Sequence, residues 1–564
     1  MNLHNAEVKP SNASVDPVTL SVLWNGLVGV SEEMGSTLRR TAFSEAVRDG
    51  DDFSTALFDR FGRLLSQGNF TPGHLGSMPY IMKSVMEFFP AEMLSPGDAI
   101  LGNDSEIGSG HYPDFFMVSP IFRDGMIVAY TVNIAHQCDV GGAVPGSQAI
   151  QGITEAFQEG LRIMPIKIVE KGEFNQALMR LILGNVRLPE KVGGDIRAQW
   201  NANYVGGERV KKLIDAFGLE TFDAGTDAIL DRSEQHMREL ISELPDGVYS
   251  FEDVIDDYGP GTPSIPVCVD ITIKGDRLIV DFSRSGDQVP AGMNCYINYT
   301  RAYAIFAIKV FSDALLPQNE GVTRPIEIVS RRGSFFNPNF PAPSAGRACN
   351  QVRIFDVING ALSPILPKKA MGAFSHWANI NIGGVDDETG RPFVFYDVLF
   401  GGYGGRVDKD GVDSLSPILN CPNIPVEIQE AANPILVRRC ELIQDSGGAG
   451  RYRGGSGLRK DFELRCSEAT LCPITDRHSS APYGIFGGKP GKIASTRLVE
   501  DGKEITVGSK EIVKLKKGQV ISFRLAGAGG YGDPKDRDRK AIEKDLADGH
   551  ISEAYAAEMY GYTR

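Results

Sequence analysis

The chain has no excess of basic residues: 58 lysines and arginines stand against 72 aspartates and glutamates, for a formal charge of −14. With no cationic stripe to neutralise phosphates, an electrostatic grip on nucleic acid is excluded. No stretch reaches 18 uninterrupted apolar residues, so no membrane-spanning helix is expected. Residues 1–17 are polar, without the basic start and apolar core of a secretion signal, and a cytoplasmic location is the expectation. The eight cysteines, at 138, 268, 295, 349, 421, 440, 466 and 472, include no Cys-x-x-Cys pair, which excludes a dense disulfide framework and leaves reduced packing residues. Only Cys138 lies inside a motif of interest. A phosphate loop of the form G-x-x-x-x-G-K-[ST] is missing, and the glycine clusters at 401–405 and 447–450 are not followed by Lys-Ser or Lys-Thr. No G-x-S-x-G elbow supports Ser-His-Asp catalysis, and no repeat or low-complexity segment is present.

Histidine is scarce too, eight in 564 residues, and this gives weight to two short motifs, His111-Tyr112-Pro113-Asp114 and His136-Gln137-Cys138-Asp139. Between them Phe115–Phe122 and Met126–Ala135 are apolar and β-favouring, with Arg123-Asp124-Gly125 as turn chemistry. A hairpin turning near Asp124 sets Asp114 opposite position 134, so the two pairs converge to within about 5–8 Å across the ladder. Two imidazoles and two carboxylates there suit a divalent metal, Mn, Zn or Fe, with His111, Asp114, His136 and Asp139 as candidate ligands. The alternative is that each pair caps a turn.

A second acidic element precedes a smaller hairpin. Glu45, Arg48, Asp49, Asp51 and Asp52 lead into Ser54–Phe58 and Arg63–Ser66, and a solvated loop is the competing interpretation. Helices are expected at Pro17–Phe43, opened by Asp16-Pro17, and at His74–Phe89, Gln148–Arg162, Phe174–Asn185, Asp195–Phe217, Thr226–Leu244 and Tyr299–Leu315. After Pro245 the pattern turns to short alternating strands, and Val426–Leu525 alternates strands and turns as a β-sandwich or barrel does. Arg539–Tyr560 reads as one closing amphipathic helix. The fold class is therefore α+β and multidomain: a helix-rich part over 1–245 carrying the metal-site hairpin, a mixed domain over 246–425, and a mainly β module over 426–564. His376-Trp377 and Asp476-Arg477-His478 read as structural, while Arg347, Asn350 and Arg353 are weaker candidates to line a cavity.

These residues also carry a resemblance. Arg40-Thr41-Ala42-Phe43-Ser44, Asp52-Phe53-Ser54, His74-Leu75-Gly76-Ser77-Met78, Gly110-His111-Tyr112-Pro113-Asp114, His136-Gln137-Cys138-Asp139-Val140-Gly141-Gly142 and Gly529-Gly530-Tyr531-Gly532-Asp533-Pro534 resemble the hydantoinase B family from Asp16 to Pro534. The chain departs from that pattern at Asn103-Asp104-Ser105-Glu106, where the family commonly has Asn-Asp-Pro-Tyr. The resemblance implies the B-type subunit of an ATP-dependent hydrolase that opens a lactam, hydantoin or 5-oxoproline ring. It implies a hydantoinase A-type ATPase partner, two A and two B subunits together, which spends ATP with magnesium to phosphorylate the ring carbonyl. In carboxylase relatives a metal is held at positions matching His111, Asp114 and His136. Asp52 is then the expected general base or extra ligand, Glu45 a weaker one, Arg48 the phosphate anchor, and His74 a further site residue. A ketone carboxylase using bicarbonate is the alternative chemistry, and a silent scaffold for the ATPase is the third.

Overall fold

The computed structural model describes residues 15–313, 315–415, 418–419 and 421–563, so most of the polar N-terminal stretch lies outside the described residues. Helix α1 (Pro17–Thr41) begins where Asp16 accepts the amides of Val18 and Thr19 and proline opens the first turn. Its leucines 20, 23, 27 and 38 are buried at helical spacing. After α2 (Glu45–Arg48) come β1 (Phe53–Asp59), β2 (Leu64–Gln67) and α3 (Pro72–Phe88). Then β3 (Ala99–Gly102), β4 (Asp114–Arg123), β5 (Met126–His136), β6 (Ile166–Glu170) and β7 (Glu173–Phe174) complete a seven-stranded antiparallel sheet, ordered β2-β1-β5-β4-β3-β6-β7.

Helices α4 (Gln176–Leu183), α5 (Pro189–Phe217) and α6 (Leu219–Ser242) follow. The sheet is covered on both faces. Phe53 and Leu57 of β1 pack with α1, α5 and α6, whereas Ala56 and Phe58 pack with α3. Double coverage explains why β4 and β5 read as continuous apolar runs rather than as an alternation.

The expected β4–β5 hairpin forms, with a different register. Asp124 and Gly125 both take positive φ, 50° and 80°, in a two-residue turn that pairs Arg123 with Met126. An irregularity between Ile121 and Phe122 shifts the pairing once more, and Asp114 stands opposite His136, not opposite residue 134. The helix expected over Gln148–Arg162 is absent: among its residues only Ala156–Glu159 forms a 3-10 turn. Long-range bonds override the local periodicity there, since Ile150 O accepts Gly292 N and Ala156 N donates to Pro341 O.

Strands β8 (Gly247–Ile255), β9 (Ile265–Lys274) and β10 (Arg277–Asp281) form a second sheet. Helices α7 (Ile297–Phe311) and α8 (Glu320–Thr323) lead to its last strand, β11 (Ile326–Val329), which pairs parallel to β10. Helix α9 (Gln351–Leu362) joins α7 and this sheet in one core.

The C-terminal part is a two-sheet sandwich. Strands β12 (Trp377–Val385) and β13 (Pro392–Phe400) precede α10 (Val426–Ala432) and β14 (Ile435–Leu442), β15 (Leu458–Leu464), β16 (Glu468–Ile474), β17 (Ser495–Glu500), β18 (Lys503–Val507), β19 (Val513–Lys516) and β20 (Val520–Arg524). The sheets β13-β12-β16-β19 and β14-β15-β20-β17-β18 pack through Ile380, Phe395, Phe462 and Phe523, so strands from both sides of residue 426 share one sheet. The closing helix is two: α11 (Arg539–Ala547) ends before a turn, and Ser552 caps α12 (Glu553–Tyr560) by accepting the Tyr555 amide. All eight cysteines are free thiols. Among the described residues no helix is long and apolar enough to cross a membrane.

Candidate metal centre

Asp114 opens β4 and His136 closes β5, so the register above puts them face to face at one end of the hairpin. The turn before β4 brings His111 over the same point. His111 Nε2 lies 2.9 Å and His136 Nδ1 3.1 Å from Asp114 Oδ1. On the other oxygen, Oδ2, converge His74 Nε2 at 3.2 Å, Tyr299 OH at 3.1 Å and Arg347 Nη2 at 2.5 Å. The Arg347 guanidinium also stacks over the Tyr299 ring, 3.9 Å from its centroid. All these groups are buried. Burial opposes ionisation of Asp114, but the Arg347 guanidinium and the donors converging on Oδ2 hold its carboxyl well below the usual range.

His74 arrives from α3, which packs on α7 with almost no space between them. A Cβ on Gly76 would stand 2.5 Å from Ala302 Cα, and one on Gly73 2.6 Å from Tyr303 Oη. Gly76→Ala is therefore expected to force the helices apart at a cost of about 1–3 kcal/mol, read as a lower denaturant midpoint. A variant as stable as wild type would show that α3 shifts freely.

The donor set fits a divalent cation. His111 Nδ1 meets the carbonyl of Ala345 at 2.8 Å and must donate to it, so the neutral ring turns the lone pair of Nε2 toward Asp114 Oδ1. Burial and the Arg347 charge lower the His111 pKa to about 4, which keeps that ring neutral. Two facing acceptors 2.9 Å apart call for a cation between them. Two imidazoles and one carboxylate, His111, His136 and Asp114, are a borderline-metal set.

Behind His136 runs a train of amides. Gln148 Nε2 is 3.0 Å from His136 Nε2, Gln148 Oε1 accepts from Asn379 at 3.0 Å, and Asn379 accepts from Asn381 at 3.1 Å. The train ends at Asn381 Oδ1, which has no partner, so reversing all three amides keeps the internal bonds and frees His136 Nδ1 as a ligand.

The centre forms one wall of a small cavity of about 30 Å³. Asp52 lies at its edge, 4.0 Å from His74 Nε2, and Tyr396 OH donates to Asp52 Oδ2 at 3.0 Å while its ring stacks on His136. Gln351, Trp377 and Cys421 line the opposite side.

The other sequence candidates lie elsewhere. Asp139 is spent on the loop after the hairpin, accepting the amides of Gly141, Gly146 and Arg187 and the Arg187 guanidinium. Arg48 pairs with its neighbour Asp49 at 2.7 Å and does not line the cavity. Glu45 is bound by Lys191 at 2.7 Å and, with Cys138, lines a separate small cavity that shares Tyr396. Of the weaker candidates Arg347 is at the centre. Asn350 holds the Met293 carbonyl, and Arg353 joins a buried ion cluster with Asp476. Tyr299, Tyr396, Gln148 and Gln351 carried no sequence signal, and Trp377 was noticed only as the structural partner of His376. Each sits in an ordinary helix, strand or loop until the fold brings it to the hairpin.

A second gathering, Cys349, His376 and Asp476, lies behind the cavity wall. Its carboxylate is already held by Arg353 at 2.5 Å and Lys510 at 3.1 Å, and those cations make the spot hostile to a metal ion. Both nitrogens of His376 face carbonyls, of Trp377 and Cys349, which agrees with the structural role expected for it.

Comparison with known proteins matches this architecture. The family model described as Hydantoinase B/oxoprolinase covers residues 16–534. The chain is 30% identical over 573 residues to a putative D-/L-hydantoinase B subunit of Pseudomonas sp., spanning 97% of this chain and 95% of that one. It superposes on the crystal structure of ATP-dependent caprolactamase from Pseudomonas jessenii with a TM-score of 0.91 and 30% identity, covering 98% and 97% of the two chains. An acetone carboxylase structure shares the fold at 19% identity, with a TM-score of 0.84 over 97% of this chain and 80% of that one. With the family model spanning nearly all of α1 through the C-terminal sandwich, the chain belongs to the hydantoinase B/oxoprolinase family.

Proposed function

We propose that this chain is the second-step subunit of an ATP-dependent hydrolase of cyclic amides, receiving a carbonyl-phosphorylated lactam, hydantoin or 5-oxoproline ring from a hydantoinase A-type ATPase partner. The observation that carries the proposal is the buried convergence of His111, His136 and Asp114 on a cavity with a carboxylate, Asp52, at its edge. The lack of any phosphate loop in the sequence supports a partner that handles ATP. Caprolactamase, the relative superposing at TM-score 0.91, is itself described as ATP-dependent.

Amide resonance makes a ring carbonyl a poor electrophile, and O-phosphorylation converts it into one that water attacks. His111, Asp114 and His136 would hold Mn, Zn or Fe, which would supply Lewis acidity to activate water and stabilise developing negative charge. Asp52 takes the proton of the attacking water as the C–O bond forms and returns it to the ring nitrogen as the C–N bond breaks, leaving an acyl phosphate that a second water hydrolyses to acid and phosphate. The Tyr396 hydroxyl fixes the orientation of the Asp52 carboxylate. His74 Nε2 meets Asp114 Oδ2 at 3.2 Å and helps to orient that carboxylate, with Asp52 4.0 Å away. Arg347 and Tyr299 hold Asp114 ionised and aimed at the imidazoles. Arg48 and Glu45 take no part in this scheme.

Asp52→Asn is expected to lower turnover on the order of 10²-fold while metal content stays at the wild-type level. Undiminished turnover would remove Asp52 as the base. The function itself is tested by co-expressing the chain with its ATPase partner and supplying ATP with lactams, hydantoins and 5-oxoproline, and separately with ketones and labelled bicarbonate. Ring opening coupled to ATP use is the expected result. Fixation of bicarbonate into a ketone with no ring opened would overturn it in favour of carboxylation.

A further inference from the structure

Ala345, which takes the His111 proton, and Arg347, which takes Asp114, belong to one strap, 341–347, which ends in a turn closed by Arg347 N on Ser344 O and opens the 3-10 helix Arg347–Asn350. Almost every polar backbone group of this strap is tied down. Pro341 O accepts Ala156 N at 2.8 Å, Ala342 O accepts Tyr296 OH at 2.9 Å, Pro343 O accepts Asn294 Nδ2 at 3.0 Å, and Gly346 N donates to Gly292 O at 2.7 Å. The two amides at its centre, Ser344 N and Ala345 N, both donate to a single atom, Glu159 Oε1, at 2.7 and 2.6 Å. Glu159 is 2% exposed and comes from the segment that the helical periodicity misread.

Ala345 is thus a one-residue link. Its N–H rests on the Glu159 carboxyl and its C=O receives the His111 Nδ1 proton, so moving the peptide moves the imidazole. Two residues on, the same strap delivers Arg347 to Asp114. The other carboxyl oxygen, Oε2, has no partner, so all the holding is done through Oε1.

We infer that Glu159 is a positioning residue for the metal centre, clamping the strap so that His111 presents Nε2 to Asp114 and Arg347 reaches the same carboxylate. Buried charge favours the neutral acid here: burial pushes the Glu159 carboxyl up to about 8, against the pull of the Ala345 and Ser344 amides. Near neutrality Oε2 carries a proton and Oε1 acts as a carbonyl-type acceptor, which is what a glutamine also offers.

That equivalence supplies the test. Metal-free wild type, Glu159→Gln, Glu159→Leu and Glu159→Asp are titrated with Mn²⁺ and Zn²⁺, and the imidazole N–H proton of His111 is followed by NMR, assigned by its loss in His111→Ala. Glu159→Gln is expected to bind metal as wild type does and keep the His111 resonance. Glu159→Leu is expected to bind roughly 10- to 100-fold more weakly, the usual size of an effect one step behind a ligand, and to lose or shift that resonance. Wild-type affinity and an unmoved resonance in folded Glu159→Leu would overturn the inference, as would a glutamine variant as weak as the leucine one. If Glu159→Leu does not fold, Glu159→Asp decides by the same readings, because it withdraws the carboxyl by one methylene. The resonance is read without metal, so it tests the clamp even if the metal reading of the centre fails.

Discussion

His111→Ala and His136→Ala are each expected to strip the chain of its divalent metal and to lower ATP-dependent turnover roughly 10³-fold or more. The size follows from the several kcal/mol of charge stabilisation that a Lewis acid contributes, at about 1.4 kcal/mol per factor of ten. Either variant removes one of only two imidazoles facing Asp114 Oδ1 and leaves a single nitrogen and a carboxylate, too few for tight binding. Folding is expected to survive, because Arg347, Tyr299 and His74 still satisfy Asp114 Oδ2. The check is metal analysis of purified wild type beside each variant, with the partner complex examined by size-exclusion chromatography. About one metal per wild-type chain, lost in both variants with assembly intact, is the expected pattern. Equal metal in all three proteins would sink the centre as described.

The second large effect concerns stability and falls outside the cavity. Arg353 is fully buried, bonded through Nη2 to Asp476 at 2.5 Å and through Nε to Val254 O at 2.9 Å, with Asp253 and Asp356 each 3.8 Å away. Arg477 and Lys510 complete the cluster, which joins β8 and α9 to the loop following β16. Arg353→Met deletes one cation and leaves Asp476 with Lys510 and the Asp256 amide, while Asp253 and Asp356 share Arg477. Breaking a buried pair from one side costs about 3–5 kcal/mol, which in a chain of 564 residues lowers Tm by roughly 3–4 °C. Metal content per folded chain stays unchanged. Adding Asp476→Asn to Arg353→Met is expected to recover part of the loss, since the uncompensated carboxylate then goes with its partner. A single variant melting within about 1 °C of wild type would show that the cluster relaxes around the gap.

Much of the scaffold is legible in the residues because its signals are local. Asp16-Pro17 announces α1, and Arg123-Asp124-Gly125 between two apolar runs announces the hairpin that carries the centre. His111, Asp114 and His136 lie at the ends of that hairpin, and pairing two adjacent strands suffices to bring them together. Where the periodicity misled, the segment is held by distant partners: 148–162 is bonded to Gly292 and Pro341, and those bonds outweigh a weak helical pattern. Arg48 and Asp139 attracted notice for their chemistry and their nearness in sequence to the motifs, yet each charge is consumed by a partner on the spot, Asp49 for one and Arg187 for the other.

The sequence by itself determined the hairpin, the convergence of His111, Asp114 and His136, the lack of a nucleotide loop and the family pattern, all of which are written in short stretches or in composition, while Asp139, named with them, turned out to hold its own loop. Only the tertiary structure decided which further groups complete the centre. Arg347 lies 233 residues from Asp114, Tyr299 185 residues, and Tyr396 344 residues from Asp52. Contacts at such separations arise from packing of α7, the strap and β13 onto the hairpin, and no spacing rule within a single element encodes them. The same holds for Glu159, whose role depends on a strap almost two hundred residues further along the chain.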